Sequence, residues 1–159
     1  TISYSVTGVQ TWALPISHEM GERARRDLAA SLRIVDDLEN ITDDSLSLIH
    51  LLDRGRKRKL STEALKPEAL GPYTLLVENF LAFVVANMNK HISDEQLAQA
   101  SEYEDRIDEL RTTLKKSARK RLKAGADVKL ELLYIDLVRH VEKIGDHAYG
   151  IAHALREMR

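Results

Sequence analysis

The sequence predicts an all-α protein, an antiparallel helical bundle with short connections, and three observations carry that reading. From Ser17 onward, apolar residues recur at intervals of three and four, the period of one helix face. No alternation of apolar and polar residues marks a strand. Residues 32–53 also align without a gap on residues 135–156, pairing Val35 with Val138, Glu39 with Glu142, Ile41 with Ile144, Asp43 with Asp146, His50 with His153 and Leu52 with Leu155. One helical unit used twice accounts for such a repeat.

The first element begins after a segment that stands apart. Residues 6–16, VTGVQTWALPI, resemble a sequencing-library adapter translated in frame, with Trp12 where the usual read-through gives Cys. Residues 1–16 are therefore expected to be a non-native or disordered leader, the native N-terminus to be missing, and residues 17–159 to form one helical domain.

Residues 19–53 place Leu28, Leu32, Val35, Leu38, Ile41, Leu48 and Leu52 on one stripe and read as a long amphipathic helix that Gly55 stops. The basic run 54–59, with Pro67, Gly71 and Pro72, reads as a connector. Residues 73–89 form a more uniformly apolar second helix, expected to be the most buried. Ser93 and Gln96 make a capping box that opens the third helix, whose stripe is Leu97, Ala100, Tyr103, Ile107, Leu110, Leu114 and Ala118. Gly125 breaks the chain, and Asp127 caps a fourth helix over residues 128–158 with a core stripe of Leu137, Val141, Ile144, Ala148, Ile151 and Leu155.

Composition removes several classes of function. The 24 basic and 25 acidic residues nearly cancel, so no global field recruits nucleic acid. Without cysteine there is no disulfide or thiolate zinc site, which fits a reducing compartment and makes the cytoplasm the default expectation. The strongly apolar run 80–86 falls far short of the ~20 residues that span a bilayer. Gly-x-Ser-x-Gly elbows, phosphate loops and Glu-x-x-His pairs are all absent from the sequence, so no enzyme is expected.

The acids are the candidate chemistry. Glu39 and Asp43, Glu104 and Asp108, and Glu142 and Asp146 form three E-x-x-x-D pairs on three helices. By helical wheel, Asp36, Glu39, Asp43 and His50 lie away from the apolar stripe of the first helix, and Arg139, Glu142, Asp146 and His153 lie away from that of the last. A solvated face is one reading of these pairs. Like charges at i,i+4 repel, however, and a hard cation held by carboxylates of neighbouring helices would offset that repulsion. His50 and His153 lie seven residues past their acids, ~10 Å along the axis, and are expected to be solvated. His147 is a better-placed spare ligand, but on another side of its helix.

Residues 137–152, LVRHVEKIGDHAYGIA, and residues 32–49, LRIVDDLENITDDSLSLI, resemble the signature helices of the PhoU family. The resemblance implies a PhoU-like bundle, with one complete three-helix repeat preceded by the last helix of a truncated one. It also implies a metal site at Glu104, Asp108, Glu142 and Asp146, and half a site at Glu39 and Asp43, with iron, manganese, zinc or magnesium as the cofactors. Asn40 and Thr42 depart from the pattern that Lys143 and Gly145 keep. The implied function is regulation of phosphate homeostasis. The setting would be either the soluble C-terminal domain of a bacterial sodium/phosphate cotransporter, at the inner face of the plasma membrane, or a stand-alone negative regulator between a phosphate transporter and a sensor kinase. The wording of the last helix is closer to the cotransporter tails, which would make the partner a transporter domain in the same polypeptide.

A structural adaptor without ligand is the third reading. The basic patch Arg54, Arg56, Lys57, Arg58 and Lys59 reads as a solvated loop, or as a contact for anionic lipid or an acidic partner. The later group Lys115, Lys116, Arg119, Lys120, Arg121 and Lys123 is explained by the helix dipole. The first helix must bury its stripe by folding onto the other three or by pairing in a homodimer.

Overall fold

The computed structural model describes residues 21–58 and 67–158. Among them are four helices and no strand: α1 (Glu22–Lys57), α2 (Pro67–Asn87), α3 (Asp94–Lys123) and α4 (Val128–Glu157). The leader, residues 1–16 with Trp12, lies outside the described residues, as does Lys59 of the basic patch.

The local signals for α3 and α4 hold in detail. Ser93 Oγ accepts from the Gln96 amide at 3.2 Å while the Gln96 side chain accepts from the Ser93 amide at 3.0 Å, so two orphan donors are satisfied at once. At the other end Gly125 takes φ 88°, and the bonds Ala126 N–Arg121 O and Gly125 N–Leu122 O close the helix on itself. Asp127 then accepts from the amides of Lys129 and Leu130 to start α4.

Two sequence expectations about breakers fail. α1 runs through Gly55 to Lys57, and Gly55 is buried there: a Cβ would lie 2.8 Å from Leu133 Cδ2 of α4. The residue serves close helix approach and not termination. α2 starts at Pro67, six residues earlier than expected, and carries Pro72 inside it. Proline suits the first turn, where the missing amide donor has no intrahelical partner to lose, which accounts for Pro67; Pro72, the sixth residue, lacks the amide that would bond the Glu68 carbonyl.

α4 lies at the centre. α1, α2 and α3 all pack on it, and its buried residues run from Glu131 to Leu155 around most of its circumference. This corrects the expectation that the second helix would be the most buried. The α3–α4 pair is antiparallel, joined by Arg121 with Glu131 and Arg111 with Glu142. α2 runs antiparallel to α3, with Phe80 stacked on Tyr103 at 5.0 Å, and parallel to α4, with the Tyr73 hydroxyl donating to Val138 O. The α2 window Leu70–Asn87 is long and apolar enough by composition to cross a membrane. In the bundle its Tyr73, Leu76, Val77, Phe80 and Val84 fill the core.

α1 packs chiefly on α4, antiparallel, through Ala30, Ile34, Asp37, Ile41, Asp44, Leu48, Leu51 and Gly55. That spacing of four and three is a heptad seam. It shares only Ile41 and Leu48 with the predicted stripe, of which Val35, Leu38 and Leu52 stay exposed. The seam's polar steps are paired: His140 Nδ1 lies 2.6 Å from Asp44 Oδ1, and His147 Nδ1 lies 2.9 Å from Asp37 Oδ1. Gly150 makes room for the second pair, since a Cβ there would lie 2.5 Å from Asp37 Oδ2.

Candidate metal centre

Three of the sequence-nominated carboxylates converge where α3 faces α4. Glu104, Asp108 and Asp146 each bring one oxygen into a group whose members all lie within 4.8 Å of one another. Glu104 and Asp108 stand one turn apart on α3, and the antiparallel crossing brings Asp146 within reach of both. Gly145 lies at this approach: a Cβ there would lie 2.9 Å from Ile107 Cδ1, so a side chain would force Ile107 to move.

The fourth nominated acid is placed differently. Glu142 is buried, not outward-facing, and its carboxylate is paired with Arg111 and, at 3.3 Å, with Lys115. Arg111 also reaches Asp108 Oδ2 at 3.1 Å, so one guanidinium joins the buried pair to the edge of the triad. Sequence reasoning missed Arg111 and assigned Lys115 to the dipole. The available signal was their spacing from Asp108, one and two turns along the same face of α3. Arg121 was likewise assigned to the dipole. Its Nε donates to Glu131 at 2.5 Å and its guanidinium lies over the Tyr134 ring.

Electrostatics follows from this arrangement. The Glu104 carboxyl is pushed above its ordinary range, first by burial and then by the charges of Asp108, Asp105 and Asp146. Asp146 is pushed up likewise, by burial and then by Glu142 and Asp108, although it keeps contact with solvent. The three acids therefore repel, and Arg111 is drawn mainly toward Glu142. A cation placed among them would relieve the repulsion. Three carboxylate oxygens with water completing the shell fit a hard ion such as magnesium, manganese, calcium or oxygen-ligated iron better than zinc, which favours nitrogen and sulfur.

Glu39 and Asp43 are both exposed on α1 and join no such group among the described residues. The α1 acids that make contacts are their neighbours Asp37 and Asp44, in the seam with α4. His147 belongs to that seam and turns away from the triad. His153 is exposed and meets the edge of Tyr149, and His50 is exposed.

No curated protein and no solved structure matches the chain. Residues 78–155, from the middle of α2 to the end of α4, match the family model described as PhoU domain. The α2–α4 unit that carries the carboxylate triad is thus the part of the chain that matches the family its last helix resembles.

Proposed function

We propose that the chain is a PhoU-type regulatory domain of phosphate homeostasis that holds a hard cation at Glu104, Asp108 and Asp146. The observation that carries this reading is the convergence of those three carboxylates inside the segment that matches the PhoU domain. The role we assign is regulatory: the triad offers ligands to an ion, and among the described residues the neighbouring Arg111 is engaged by Glu142 and His147 by Asp37. Glu142 acts as an anchor that fixes Arg111 and Lys115 beside the site. The wording of α4 supports a setting as the cytoplasmic domain of a sodium/phosphate cotransporter, with the transporter in the same polypeptide as partner.

The test is metal content by inductively coupled plasma mass spectrometry, with manganese titration by calorimetry, on the full chain and on Glu104→Gln/Asp146→Asn, purified without chelator. Stoichiometric metal that vanishes in the variant supports the site. Because both carboxyls must ionise to bind and both are held high, affinity should fall as the pH drops through the range just above ordinary carboxylates. Wild-type protein that neither carries metal nor takes up manganese would leave these acids as a solvated face, with protein contacts carrying the regulation.

A further inference from the structure

The antiparallel seam sets the basic C-terminus of α1 beside the first turn of α4, and a recess of about 200 Å³ opens between them. Leu51, Gly55 and Leu133 are buried and form its floor. Arg54, Arg58 and Lys129 surround it, all exposed. Its one acid, Asp136, is already bridged to Arg139 at 3.2 Å.

The basic run divides into two sets. Arg56 and Lys57 are both held by Asp53, at 3.1 and 2.6 Å. Among the described residues, no ion pair or side-chain hydrogen bond engages Arg54, Arg58 or Lys129. The helix dipole accounts for arginines at the end of α1, but it opposes a lysine at the second position of α4. The repulsion of three cations around an apolar floor would be offset by an anion that brings some apolar surface with it. Leu132 and Val128 flank Lys129 on α4 and are 53% and 59% exposed, which extends the apolar edge outward. Two arginine forks and an ammonium suit the several oxygens of a phosphate group.

We propose that this recess binds the phosphate group of an amphiphilic phosphate ester, presented either by an anionic phospholipid headgroup or by a free ester. The site is separate from the carboxylate triad and does not depend on it.

Two probes distinguish the sources: co-sedimentation of the full chain with vesicles of equal parts phosphatidylglycerol and phosphatidylcholine, and calorimetric titration with hexyl phosphate. Binding to the vesicles alone assigns the lipid source, and binding of hexyl phosphate assigns the free one. Arg54→Gln/Arg58→Gln should weaken whichever binding is seen by at least about tenfold, and Lys129→Gln should weaken it further. Arg56→Gln/Lys57→Gln removes an equal number of charges, from the set held by Asp53, and should change it by less than about threefold. Circular dichroism should show every variant folded, since all the altered side chains are exposed. Equal losses in the two double variants would mean general charge attraction and overturn the site. So would the absence of wild-type binding to either probe.

Discussion

Glu142 and Arg111 form a pair with unequal ways of being broken. The Glu142 side chain is 11% exposed and Arg111 27%, so an orphaned guanidinium can turn toward water while an orphaned carboxylate cannot. Lys115 remains near Glu142 at 3.3 Å but covers only one oxygen. Arg111→Ala is therefore expected to cost about 3 kcal/mol in chemical denaturation, and Glu142→Gln clearly less. Equal costs would place the pair in a more solvated setting than its burial indicates. The same logic explains why Asp37 and Asp44 sit tolerably in an apolar seam: each meets a histidine across the helix interface, so neither is left bare.

At the level of elements, α1 and α4 carry the aligned repeat with opposite fates. Val35, Leu38, Ile49 and Leu52 align with Val138, Val141, Ala152 and Leu155, and the α4 set is buried while the α1 set is exposed. The α4 residues are covered by α2 and α3; among the described residues nothing covers their counterparts on α1. A matched pair of substitutions measures the difference. Leu155→Ala, at a residue 2% exposed, should cost about 2–5 kcal/mol from lost burial and the cavity left behind. Leu52→Ala, at 47% exposed, should stay within about 0.5 kcal/mol in urea unfolding of the dilute, monomeric chain.

For the whole molecule, the face of α1 that nothing covers among the described residues leaves Val35, Leu38, Ile49 and Leu52 in demand of burial. It repeats the pattern that receives a helix pair on α4, and Leu46 adds to it. Folding α1 onto α4 meets the expectation of a four-helix arrangement, but it satisfies only one of the helix's two apolar faces. Contiguous exposed apolar surface drives association. Light scattering should show the full chain self-associating as concentration rises, and Val35→Glu/Ile49→Glu should return it to a monomer. A wild-type chain that stays monomeric at high concentration would sink the idea.

The sequence by itself determined the helices, the Ser93 and Asp127 caps, the turn at Gly125 and the buried stripes of α3 and α4. All of these rest on neighbours within a few residues, where spacing and side-chain chemistry act directly. It also nominated Glu104, Asp108 and Asp146, because a one-turn spacing of acids is visible along a single helix. Only the tertiary structure decided which of α1's two apolar faces is buried, that Gly55 admits Leu133 instead of ending a helix, that Glu142 pairs with Arg111, and that the acids of α3 and α4 meet. Each of those outcomes depends on which helix stands opposite, and at what height along it, and residue spacing within one helix carries no information about its partner.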